Sequence, residues 1–69
     1  MRISARNQIK GKIVDVKQGA TTAHVRIEVA AGLVITASIT NEAVDELGLK
    51  VGAPASAIVK ASDIMVAVD

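Results

Sequence analysis

No residue among the 69 of this chain is Phe, Tyr, Trp or Cys, yet 51% of them are hydrophobic. Aromatic side chains bury the most apolar area per residue and normally anchor a small core. Here Val, Ile, Leu and Ala carry the core, which suits a pleated sheet but leaves it thin. Below about 70–80 residues one core rarely supplies more than about 3–5 kcal/mol, so small chains add staples. Disulfides are excluded by the absence of Cys, and the single His rules out a Cys/His structural zinc site. The staple that remains is a second copy of the chain. The composition therefore predicts an obligate oligomer whose interfaces complete the core.

The same totals narrow the function classes. The length fits one domain spanning 1–69. Eight Lys and Arg against seven Asp and Glu give a net charge of +1. That balance offers no broad field for nucleic acid or an anionic membrane, and without aromatics there is no base-stacking platform. No apolar run approaches the roughly 20 residues that span a bilayer. The opening Met1–Gln8 carries charge with no apolar stretch behind it, unlike a signal peptide. The expectation is a soluble cytoplasmic protein with no nucleic-acid or membrane partner. Enzyme constellations are equally scarce: one His, no Cys and no Tyr support no nucleophilic triad. Asp15, Asp45, Asp63 and Asp69 are scattered without metal-ligand spacing, so neither catalysis nor a metal centre is expected.

Alternation dominates the chain. Ala23, Val25, Ile27 and Val29 fall on one face, with His24, Arg26 and Glu28 on the other, which predicts a half-buried strand. His24 reads as a solvated or interface residue. After the turn Ala30-Ala31-Gly32, Leu33 to Ile39 alternates Leu33, Ile35, Ala37 and Ile39 against milder residues. Gln8 to Lys17 forms an earlier strand, with a bulge or bend expected at Gly11. Thr40 to Gly48 predicts the one helix: Asn41 or Thr40 caps it, Gly48 ends it, and Val44 and Leu47 share its buried stripe. Ala55 to Lys60 and Ile64 to Val68 read as two further strands joined by Ala61-Ser62-Asp63. Five strands with a short helix between the third and fourth match an all-β, OB-like Greek-key barrel; a small barrel of another topology fits the same order.

Two segments concentrate donors: Ser4-Ala5-Arg6-Asn7-Gln8 ahead of the first strand, and Lys60-Ala61-Ser62 at the turn into the last. Each also reads as an ordinary polar terminus or turn. Together with Thr40 they supply a guanidinium, an ammonium, hydroxyls and amides, a set suited to a deprotonated oxyanion that only accepts hydrogen bonds. Arg contributes a planar fork and Lys a compact charge, so the pair neutralises one dianion.

Ser4-Ala5-Arg6-Asn7-Gln8-Ile9-Lys10-Gly11 resembles the opening of the molbindins, the small Mop-type TOBE proteins. The likeness continues through Gly19 to Val29, Ile39-Thr40, Val44 to Leu49 and Val59 to Ser62. The resemblance implies an OB-like barrel assembled as a homohexamer, a trimer of dimers. It also implies molybdate or tungstate held at subunit interfaces for storage and homeostasis. By the same resemblance the oxyanion meets Ser4, Arg6, Thr40, Lys60 and Ala61, with Ala5, Asn7 and Ser62 as additional donors. Some relatives carry Ser where this chain has Ala43, which leaves Ala43 out. A second anion pocket on a symmetry axis is assigned to Gly19, Ala20, Thr21 and Thr22. An anion-responsive regulatory module and an OB-type nucleic-acid-binding domain are the alternative readings.

Overall fold

A computed structural model describes residues 2–69. The chain runs β1 (Asn7–Gln18), β2 (Thr22–Ala30), β3 (Leu33–Thr40), α1 (Asn41–Leu47) and β4 (Pro54–Val59), followed by a 3-10 turn over Ala61–Asp63. All strand pairings are antiparallel, and the sheet order is β3-β2-β1-β4. The period-2 pattern of β2 is realised directly: Ala23, Val25 and Ile27 are buried, while His24 and Arg26 are exposed. With Ile13, Val44 and Ala57 they form the buried core of the described residues. Six small or branched aliphatic residues make a modest core for a domain of this size.

The first strand departs from the expected bulge. Gly11 pairs regularly with Ala55, and the register shift against β2 falls between Ile13 and Asp15. Gly11 is needed for closeness instead, because a Cβ there would stand 2.5 Å from the Glu28 carbonyl oxygen. The shift at Val14 lets Ile13 face the core while Asp15 stands opposite Arg26 on the outer face.

Thr40 caps the helix, its Oγ1 accepting from the Ala43 N–H at 3.0 Å, and Gly48 ends it in the left-handed conformation at φ 63°. Val44 is buried, but Leu47 is 69% exposed and does not share its stripe. A seven-residue helix covering only one end of the sheet has room for one inward anchor. The loop after it is pinned to β1, since Gly52 N–H donates to the Ile13 carbonyl and Ile13 N–H to the Ala53 carbonyl.

Among the described residues the sheet has four strands, where five are expected from the sequence. Ile64 to Val68 is not a strand in this structure. Ile64 N–H donates to the Ala61 carbonyl at 3.3 Å, and among the described residues no backbone hydrogen bond follows it. Met65, Val66 and Val68 are about nine-tenths exposed (93%, 89% and 91%). No strand of the same copy pairs with the segment, although β3 and β4 each keep one free edge. An apolar groove of about 410 Å³ meanwhile stays open between Ile35, Ala37 and Ile39 of β3 and Ala55, Ala57 and Val59 of β4.

Candidate functional site

The β1–β4 ladder builds the first candidate site. Asn7 pairs with Val59 and Gln8 with Ile58, so the residues preceding β1 and those following β4 emerge side by side. Ser4, Ala5 and Arg6 from one end and Lys60, Ala61 and Ser62 from the other line one open depression of about 390 Å³. Gln8 Nε2 donates to the Ala5 carbonyl at 3.3 Å, which occupies the nearest backbone acceptor. On the other wall, Asp63 N–H donates to the Lys60 carbonyl at 2.9 Å. No carboxylate lines the depression, which presents a guanidinium, an ammonium and two hydroxyls. With two cationic side chains and no anionic one among the described lining residues, this arrangement favours a multiply charged anion over a cation.

Thr40 lies elsewhere. It pairs with Thr22 where β2 begins, beyond the far end of β1 from Asn7. The two ends of β1 are separated by on the order of 35 Å of strand. One copy therefore brings together Ser4, Ala5, Arg6, Lys60, Ala61 and Ser62, places Asn7 next to them in the ladder, and leaves Thr40 apart. The Thr40 hydroxyl caps α1 through a lone pair, so its O–H remains a free donor on an exposed residue.

At that far end Gly19 and Thr22 line a second, smaller depression of about 280 Å³ with Lys17, Gln18 and His24. Ala20 and Thr21 do not line it. The Gly19 N–H is already committed to the Thr22 carbonyl at 2.7 Å, so the side chains of Lys17, Gln18, Thr22 and His24 are its polar groups, with Gln18 Nε2 shared with Asp45. Lys17 and His24 are cross-strand partners, a juxtaposition set by the β1–β2 register and not visible in the order of residues alone. Asn41 ties this turn to the helix: its N–H donates to Thr21 and its Nδ2 to Gly19, both at 2.9 Å. The larger open depression beside α1 contains Asp45, whose carboxylate accepts from Gln18 Nε2 at 3.3 Å, and is poorly suited to an anion.

Against known proteins, the TOBE domain model matches residues 3–66. "Molybdenum-pterin-binding protein 2" of Clostridium pasteurianum is 52% identical over 66 residues, covering 96% of this chain and 97% of that protein. A "probable molybdenum-pterin-binding protein" of Haemophilus influenzae is 46% identical over the full length of both. Among solved structures, MopII from C. pasteurianum superposes with a TM-score of 0.90 at 49% identity, covering 97% of this chain and all of that one. A molybdate-binding protein from Sporomusa ovata gives a TM-score of 0.90 at 30% identity, covering 97% and 98%. A molybdate-bound form of the cytoplasmic molybdate-binding protein ModG gives 0.88 at 46% identity; this chain spans 46% of its length. The fold is thus that of a TOBE domain. Within that class, the chain belongs to the molbindin (Mop) family.

Proposed function

We propose that this chain is a non-enzymatic molybdate-binding protein of the cytoplasm that stores and buffers the oxyanion, with tungstate as a competing ligand. The observation that carries the reading is the carboxylate-free depression where Ser4 and Arg6 meet Lys60 and Ser62. Relatives whose names and titles specify molybdenum-pterin or molybdate binding support it. Mechanistically, the dianion sheds water and is met by the Arg6 fork, the Lys60 ammonium, the Ser4 and Ser62 hydroxyls and amides around Ala5, Asn7 and Ala61. A hydrogen bond to a charged group contributes about 1.5–3 kcal/mol, so several together reach the roughly 8 kcal/mol of micromolar affinity.

That arithmetic requires the donors to be out of water. In one copy Ser4, Arg6, Lys60 and Ser62 are all exposed, and exposed charge pairs contribute only about 0–1 kcal/mol. The proposal therefore includes a homo-oligomer, a hexamer built as a trimer of dimers, whose interfaces bury the oxyanion and bring Thr40 from another copy. Ile64–Val68 and the groove between β3 and β4 support self-association. The segment starts extended at Ile64, is apolar and outside the sheet, and is five residues long against the six of β4, while the groove is lined mostly by aliphatic side chains. In this reading each copy lends that segment to another, which completes a five-stranded barrel. The depression at Lys17, Thr22 and His24 is the proposed second anion pocket, near Gly19–Thr22.

Native mass spectrometry with added molybdate tests both halves by reporting subunit count and bound ions together. The expected result is a hexamer that gains ions in whole-number steps. A folded single subunit with no bound ion at saturating molybdate refutes the proposal.

A further inference from the structure

Lys60, Ala61 and Ser62 occupy two places at once. They form one wall of the oxyanion depression, and with Asp63 they are the covalent link between β4 and Ile64–Val68. The opposite wall, Ser4 to Arg6, is held by the β1–β4 ladder at Asn7 and Gln8. Beyond Val59 the link is held, among the described residues, by two backbone bonds of its own turn, Asp63 N–H to the Lys60 carbonyl at 2.9 Å and Ile64 N–H to the Ala61 carbonyl at 3.3 Å. The two walls thus flank the same Asn7–Val59 ladder pair, and the second runs on directly into an exposed apolar segment.

We infer that the oxyanion pocket is the hinge of the strand exchange. A dianion bridging Arg6 and Lys60–Ser62 fixes the direction in which Ile64–Val68 leaves β4, so occupancy of the pocket and seating of the segment in a second copy are one coupled equilibrium. The inference rests on the molybdate-binding and self-association reading above. Its sign follows from charge. With the pocket empty, the exposed Arg6 and Lys60 cations line one depression and nothing draws the link to the ladder. A dianion accepting from both walls, in a pocket closed off from water by a second copy, clamps the link to the ladder. Linkage makes the effect reciprocal: a seated segment preforms the pocket, and a filled pocket holds the segment in place.

The test is subunit exchange. Unlabelled and 15N-labelled protein are mixed and followed by native mass spectrometry with and without molybdate as the probe. Calorimetry on the same samples fixes occupancy. If the anion must leave before the segment opens, exchange slows about 100-fold when free molybdate is about 100 times its Kd. Hydrogen exchange at the amides of 64–68 slows in parallel. Arg6→Ala and Lys60→Ala, which bind molybdate about 10- to 100-fold more weakly, slow only about 2- to 11-fold at that same molybdate concentration; should either fail to assemble, wild-type amide exchange at 64–68 decides alone. Calorimetric binding with unchanged subunit exchange and unchanged protection at 64–68 overturns the hinge while leaving the binding reading intact. An absence of binding heat, or a lone subunit, overturns both.

Discussion

Gly11 of β1 passes directly beneath Glu28 of β2. A Cβ at Gly11 would come within 2.5 Å of the Glu28 carbonyl oxygen and 2.7 Å of Ile27 Cγ2. Neither neighbour is the free end of a flexible chain, because one is ladder backbone and the other is a buried core side chain. Gly11→Ala is therefore expected to destabilise the fold by about 1–3 kcal/mol through overpacking. Urea unfolding monitored by far-ultraviolet circular dichroism measures the loss. An alanine variant as stable as wild type contradicts this close packing.

Arg6 and Lys60 separate binding from folding. Both are exposed and neither contributes to the core, so Arg6→Ala and Lys60→Ala should leave the melting temperature without anion nearly unchanged. Each removes a charge-assisted contact of about 1.5–3 kcal/mol, so molybdate affinity should fall by about 10- to 100-fold. Isothermal calorimetry checks the affinity and a thermal melt checks the fold. Wild-type affinity in both variants would place the anion elsewhere.

Thr40 has two separable duties. Thr40→Val removes the oxygen that accepts from Ala43 N–H and is expected to cost about 0.5–2 kcal/mol of stability. It also removes the O–H donor, so molybdate binding weakens as well. Thr40→Ser restores both. A valine variant that loses stability but binds as wild type would restrict Thr40 to capping.

Anion selectivity follows from size at equal charge. Tungstate nearly matches molybdate, so its affinity should lie within about tenfold, or 1.4 kcal/mol. Sulfate is smaller, and its oxygens reach fewer donors at once, so it should bind more weakly. Competition calorimetry distinguishes them; equal binding of sulfate would make the depression a general dianion cradle.

Much of this architecture is legible in the residues themselves. The alternation from Ala23 to Val29 specifies β2 because one face of that strand lies on the core of the same copy. Thr40 and Gly48 bracket α1 because capping is local chemistry, needing only side-chain oxygens and a tolerated positive φ. Contacts between distant residues are less legible. The register shift at Val14 is decided by which β2 residue stands opposite, and Gly11 only resembles its cause. Leu47 and Ile64–Val68 look like core by composition, but in one copy much of their apolar surface stays exposed. The site divides along the same line. Arg6 and Lys60 meet through a ladder of neighbouring strands, whereas a meeting with Thr40 requires a second chain.

One consequence concerns copies that have not yet found a mate. Ile64-Met65-Val66-Ala67-Val68 is a short, uncharged, β-prone run without Pro, the composition that stacks into cross-β fibrils. Asp63 and Asp69 bracket it. Any in-register pile of identical segments would align those carboxylates about 4.8 Å apart along a fibril axis, where their repulsion accumulates with each added strand. The two aspartates thus act as gatekeepers, guarding newly made protein against the wrong kind of self-recognition.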